Sequence, residues 1–260
     1  MRRRSTTILI ALAVLLAVAI PAGAVMFGEK DVDNEYPYVG LVVFDIDGVP
    51  RWRCTGQLLS PTVLLTAGHC TEGATGARVW FDVDVTSPQY PFAGSDSVEA
   101  TSIHTHPLYD DFASFPATHD IGIVILSEAQ AGPFTSLAPV GTLDGLSLGT
   151  SRASATFAIA GYGLQDARPT LFSAERSRYK GEVKMINLES SLNAGYNVQL
   201  TSAAGTGGGL CFGDSGGAVY YSSTVVAVNS FVLNSFCMGS GFSHRTDIAS
   251  VHNWVSSFLD

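Results

Sequence analysis

The stretch Cys211-Phe212-Gly213-Asp214-Ser215-Gly216-Gly217 sets a serine among glycines more densely than core packing requires. Glycine adopts backbone angles that other residues resist and lets a substrate come close to the main chain. It also frees backbone N–H groups to face a developing negative charge. A serine so placed is a candidate nucleophile, inert until a base removes its proton and a carboxylate orients that base. His69, in Thr66-Ala67-Gly68-His69-Cys70, follows an apolar run, and a neutral imidazole can take the serine proton and later return it. Asp120 directly precedes Ile121-Gly122-Ile123-Val124-Ile125-Leu126, a run apolar enough to be buried on both faces. A carboxylate held under that cover could fix the histidine tautomer and stabilise the imidazolium. Each residue alone has an ordinary structural reading, since an aspartate before a strand is usually a turn residue. As a set they describe acyl transfer through serine.

These groups must be carried by strands. Residues 38–46 form an apolar run of strand length, Asp47-Gly48 is a hairpin turn signal, and residues 52–59 read as the returning strand. Residues 62–65 make a short strand before the histidine, and residues 78–85 alternate as a half-buried strand should. Residues 131–150, rich in Gly, Pro, Ser and Leu, mark the boundary between two halves. Beyond it lie strand-like runs at 156–159, 181–186, 196–200, 218–221 and 225–231. Only residues 247–259 read as helix, with Ile248, Val251, Trp254, Val255 and Phe258 on one face. Two β modules and a terminal helix result.

The chain has 260 residues, 46% hydrophobic and only 14% charged, which favours a β-rich fold of one large or two small domains. Arg2, Arg3 and Arg4 precede an apolar run at 8–20 and then Pro21-Ala22-Gly23-Ala24, the pattern of a signal peptide over residues 1–24. The run is short for a membrane span and ends in proline and glycine. Cleavage after Ala24 removes three arginines and no acid from a chain of net charge −9, leaving −12. Such acidity excludes nucleic acid and anionic membrane as partners and suits a secreted, extracellular protein. Four cysteines in an exported chain read as two disulfides. No Cys-x-x-Cys or Cys/His cluster suggests a metal, and Asp82 and Asp84 read as one solvated face rather than a calcium loop. No cofactor is expected.

The three motifs, in this order and at these separations, resemble the chymotrypsin-like (trypsin-family) serine proteases over residues 25–260. The resemblance implies an all-β fold of two six-stranded antiparallel β-barrels with a C-terminal α-helix. Residues 25–140 would form the barrel carrying His69 and Asp120, and 141–260 the barrel carrying Ser215 plus the helix. Ser215 would be the nucleophile, His69 the base, Asp120 the orienting carboxylate, and the Gly213 and Ser215 N–H groups the oxyanion hole. Cys54 would pair with Cys70, and Cys211 with Cys237. Asp214 would pair with the ammonium of a new N-terminus. Val25-Met26-Phe27-Gly28 stands where the family has Ile-Val-Gly-Gly, at the family's distance from Pro37. Since Val25 is also the residue exposed by signal cleavage, export itself would generate the active end.

By the same alignment the substrate pocket comprises Gly209, Leu210, Ser230, Phe231, Val232 and Gly241. Gly209 occupies the place of the aspartate that selects arginine or lysine, and Val232 that of a glycine which keeps the slot open. An apolar floor leaves a substrate cation desolvated and unpaired, so small or medium apolar side chains are expected. The implied partners are protein or peptide substrates and protein inhibitors, with the chain a monomer. One rival is a catalytically inactive homologue that binds a partner through the protease surface, against which all three triad residues speak. Another is an esterase, whose Gly-x-Ser-x-Gly elbow belongs to an α/β scaffold. His104 and His106 read as scaffold. His119 would point away from Asp120's side of the chain, and His244 and His252 carry no evident chemistry.

Overall fold

The structure is a computed structural model that describes residues 25–259, so the expected leader lies outside it. After a short β1 (Glu29–Lys30), the first half contributes β2 (Val39–Ile46), β3 (Val49–Leu58), β4 (Val63–Thr66), β5 (Gly76–Trp80), β6 (Val98–Thr105) and β7 (Gly122–Leu126). The last six close an antiparallel barrel in the order β2-β3-β4-β7-β6-β5. The β2–β3 hairpin turns on Asp47 and Gly48, with φ of 53° and 76°. A two-residue hairpin turn that matches strand twist needs positive φ at both positions, which Asp-Gly supplies cheaply. All of β2 but Ile46 is buried, and each such valine or leucine contributes about 1.5–3 kcal/mol.

In the first half two elements depart from the sequence reading. β5 stops at Trp80, and residues 81–85 leave the barrel to be captured by the other half, with Val85 N–H on the Arg176 carbonyl and Asp84 bridged to Ser177. Asp84 also pairs with Lys30. The unexpected β6 mixes polar and apolar residues, yet it pairs with β5 and β7 and completes the barrel.

The second half holds β8 (Ser136–Leu137), β9 (Phe157–Gly161), β10 (Tyr179–Val183), β11 (Met185–Asn187), β12 (Asn197–Ser202), β13 (Ala218–Tyr221), β14 (Thr224–Val232) and β15 (Gly239–Arg245). They form one curled sheet in the order β1-β10-β9-β13-β14-β15-β12-β11, with β8 on β14. Its two ends meet, because only Lys184 separates β10 from β11. The Thr201 N–H donates to the Lys184 carbonyl at 2.9 Å, and the Lys184 N–H to Thr201 Oγ1 at 3.0 Å. One bent strand thus serves β9 with its first part and β12 with its second, so the sheet curls round through a shared strand.

Short helices at Thr142–Leu146 and Gly149–Ser154 occupy the segment read as an irregular link. The terminal helix Ala249–Ser256 lies where it was expected. Its Val251 and Val255 join the core of the first barrel, and Trp254 sits edge-on to His106 at 4.9 Å. The halves are also tied by Arg178, which is fully buried. Its guanidinium pairs with Asp31 at 2.8 Å and donates to the Val39 and Phe81 carbonyls at 2.9 and 3.0 Å.

Candidate active site

The helical turn Gly68–Thr71 delivers His69 from the end of β4, and the loop before β7 delivers Asp120. Asp120 is wholly buried. Its Oδ1 accepts the His69 backbone N–H at 2.7 Å and its Oδ2 faces His69 Nδ1 at 2.8 Å. One carboxylate therefore grips both the main chain and the ring, leaving Nε2 toward the cleft. Ser230 Oγ donates a third hydrogen bond, to Oδ2. Ser230 reaches it because β14 bulges: Asn229 pairs with Ser243 and Phe231 with Phe242, leaving Ser230 without a partner between them. Bulges near reactive sites re-aim side chains in this way.

The charges follow from these contacts. Burial pushes the Asp120 carboxyl up, but the His69 charge and hydrogen bond, with Ser230, bring it below its ordinary value. Burial likewise pushes the His69 imidazole down, and the charge and hydrogen bond of Asp120 more than reverse this, raising it. Such an arrangement can act as a base, its tautomer fixed and its cation stabilised.

Ser215 comes from the second half, in the tight turn before β13. Gly213 and Gly216 have φ of 96° and 83°, which L side chains adopt only under strain. Ser215 and His69 line one cavity of about 270 Å³. The Phe212 carbonyl accepts the Leu164 N–H at 2.9 Å. In a trans peptide the C=O and N–H point oppositely, so the Gly213 N–H faces away from Leu164. Among the described residues neither the Gly213 nor the Ser215 N–H donates a hydrogen bond. Two free donors beside a hydroxyl can receive an oxyanion.

Beyond the cavity, Asp214 points into the protein. It is fully buried and accepts the Gly163 and Cys211 N–H groups at 2.8 and 3.0 Å. A Cβ on Gly163 would collide with its carboxyl carbon, so only glycine fits there. Burial pushes Asp214 up to about 7, with Arg53 among the groups opposing it. Val25 is buried in the core of the second sheet, and Met26 is buried against Cys211 and Cys237.

The remaining residues sort by position. Leu210, Ser230, Phe231 and Val232 line the cavity with His69 and Ser215. Gly241, outside the cavity lining, lies against Leu210, whose Cγ occupies the space a Cβ there would need. Gly209 instead backs directly onto the Ser202 side chain. Phe231 stacks on Phe242 at 4.7 Å. Phe112, not singled out in the sequence, meets Phe231 edge-on at 5.9 Å and helps line the cavity. The disulfides are Cys54–Cys70 and Cys211–Cys237. The first closes a loop of 16 residues onto His69, a constraint worth about 3 kcal/mol by loop entropy. A larger groove of about 920 Å³, beside Lys180 and Glu35, contains none of these residues.

His106 stacks on His119 at 5.2 Å, and His119 meets His244 at a tilt, with ring centroids 6.0 Å apart. Burial lowers His106 to about 4 and His244 to about 3, and it lowers His119 as well, which favours the uncharged rings near neutrality. Among the described residues the one His/Cys/Asp/Glu group close enough to hold an ion is Cys54, His69 and Cys70. Its two sulfurs are bonded to each other.

A trypsin family model matches residues 25–255. The chain is 24% identical over 235 residues to brachyurin of Leptuca pugilator, covering 88% of this chain and 96% of that one. It is 25% identical over 242 residues to chymotrypsin of Phaedon cochleariae, covering 91% and 83%. Among solved structures it is similar to the scabies mite inactivated protease paralogue S-D1, with a TM-score of 0.68 at 13% identity over 89% and 97% of the two chains. Matched along almost all of its described length, the chain belongs to the trypsin family and is a hydrolase of the serine endopeptidase kind.

Proposed function

We propose that this chain is a secreted endopeptidase that cleaves peptide bonds through Ser215, His69 and Asp120. Ser215 Oγ attacks the scissile carbonyl as His69 Nε2 takes its proton, and Asp120 holds the imidazolium through Nδ1–H. The Gly213 and Ser215 N–H groups receive the oxyanion. His69 then gives the proton to the departing amine, and water releases the acyl group by the same steps in reverse roles. The base and carboxylate belong to a half spanning 25–140 and the nucleophile to one spanning 141–260. The observation that carries this reading is the double grip of Asp120 on the His69 backbone and ring, beside the cavity that His69 shares with Ser215.

The primary pocket accepts small or medium apolar side chains. Leu210 covers its floor, Val232 narrows its wall, and no charged group lines it apart from His69. The mature chain begins at Val25 after signal cleavage, and its ammonium pairs with Asp214, whose buried carboxyl lacks an ion-pair partner among the described residues. The test is intact mass of the secreted protein before and after a fluorophosphonate probe, with Ser215→Ala as control. One adduct on a chain beginning at Val25, absent from the variant, is expected. No adduct on that mature chain would move the reading to an inactive homologue that binds proteins. No adduct on a longer chain would identify an unprocessed zymogen.

A further inference from the structure

Thr55, on β3 beside Cys54, packs against the Gly213–Gly217 turn at Gly213, Ser215, Gly216 and Gly217. Its Oγ1 donates to the Gly213 carbonyl at 2.8 Å, and its N–H donates to the Ser215 carbonyl at 2.8 Å. Its methyl carbon lies 3.2 Å from where a Cβ on Gly217 would stand. The same hydroxyl accepts the Tyr162 N–H at 3.1 Å, and the Thr55 carbonyl accepts Thr66 Oγ1 at 2.8 Å. Thr55 is fully buried, so water offers these groups no alternative partner.

Only the N–H contact is available to any residue at this position. Donor, acceptor and methyl together need threonine: valine lacks the hydroxyl and serine lacks the methyl. The two carbonyls flanking the Gly213 α-carbon are thereby fixed, that of Phe212 by Leu164 and that of Gly213 by Thr55. With both peptide planes held, the direction of the Gly213 N–H is held too. Glycine is the residue most free to rotate when such anchors are lost. β3 belongs to the barrel that presents His69, whereas the turn belongs to the half that presents Ser215. The contact therefore sets the oxyanion donors against the base across the cleft.

We propose that Thr55 is a positioning residue whose hydroxyl, by holding the Gly213–Asp214 peptide, keeps the adjoining Gly213 N–H from turning away from the substrate oxyanion and ties the nucleophile turn to the histidine-bearing barrel. This rests on the Ser215 reading above. The charge on the substrate oxygen is full only in the transition state and tetrahedral intermediate, so the effect falls on kcat and leaves KM alone. Removing an oxyanion donor outright costs about 10²–10³ in kcat. Thr55→Val, which loosens one, is expected to lower kcat about ten- to a hundredfold with KM within about twofold. Inhibition by a peptide aldehyde, whose hemiacetal oxygen occupies the same hole, should weaken in parallel. Thr55→Ser, which keeps the hydroxyl, should keep kcat within about threefold even at lower Tm.

Wild-type labelling by the fluorophosphonate probe tests the underlying reading separately, and an unlabelled mature wild type would sink both. With labelling present, a folded Thr55→Val enzyme at wild-type kcat overturns the role of Thr55. So does a rise in KM with kcat unchanged, or a Thr55→Ser enzyme as slow as Thr55→Val. If Thr55→Val does not fold, Thr55→Ser decides: retained kcat supports the hydroxyl, and a tenfold loss in a folded enzyme refutes it.

Discussion

Replacing Asp214 with asparagine should change the pH dependence of folding stability, and differently before and after the residues ahead of Val25 are removed. In the continuous chain Asp214 is fully buried and held by two N–H groups, and burial pushes it from 3.8 up to about 7. An acid raised in the folded state keeps a proton that the unfolded chain has released. Stability therefore falls as pH climbs from the unfolded value through the folded one. At about 1.4 kcal/mol per tenfold change in proton affinity, the window from 3.8 to about 7 is worth ~4 kcal/mol. The amide of the Asp214→Asn variant cannot ionise, so the variant lacks this loss. Urea unfolding of both proteins between about pH 4 and 8 should show their difference moving by ~4 kcal/mol in favour of the variant. Taking the difference removes titrations common to both, such as His69, whose raised pKa gives stability at low pH that is lost as pH rises through it. In a chain beginning at Val25, an ammonium beside Asp214 would hold the carboxylate ionised, and the movement should vanish or reverse. A flat difference in the extended chain would refute the buried, unpaired carboxyl. The same movement in both chains would refute the pairing with Val25.

Asp120 raises the His69 imidazole, so kcat/KM should climb with pH through an apparent pKa above the ordinary 6.5. Asp120→Asn should lower kcat about 10⁴-fold and move that pKa down, and an unchanged pH profile would argue against the coupling. Val232→Gly should widen the slot and favour phenylalanine over alanine at the cleaved residue by about ten- to a hundredfold, since burying a phenyl ring is worth about 1.5–3 kcal/mol. Chromogenic peptides differing only at that position read the ratio, which stays constant if Val232 does not wall the pocket. Arg178→Met should destabilise the fold by about 3–5 kcal/mol, because it leaves Asp31 buried without its cation. A denaturation midpoint within error of wild type would show that the pair contributes little.

Much of the architecture is legible because local physics spells it out. Asp47-Gly48 between apolar runs can hardly be anything but a tight hairpin, and both residues take the positive φ it needs. The run 218–221 coincides with β13, and the spacing of Val251 and Val255 locates the terminal helix. What stays hidden is set by partners distant in sequence. No strand is read from the sequence at Gly239–Arg245, yet β15 forms there because Ser243 hydrogen-bonds Asn229 and Arg245 pairs with Asp247 and Asp144, so its polar groups can be buried. Alternation continues past Trp80 and predicts a longer β5, whereas the other half of the molecule takes the chain from there.

The candidate site divides in the same way. Sequence alone supplied the residue types: a glycine-bound serine, a histidine and an aspartate ahead of an apolar strand. Those choices are chemical and need no neighbours to be read. Tertiary structure decided the rest, because hydrogen bonds act over about 3 Å and cannot be inferred between residues far apart in the chain. The grip of Asp120 on His69 spans 51 positions. The bulge that turns Ser230 onto Asp120 spans 110, and the reach of Thr55 to Gly213 spans 158. Leu210 lies over Gly241 through the same long-range packing. The chain offers the candidate groups, and only the folding of one barrel against a curled sheet sets His69 and Ser215 on one cavity.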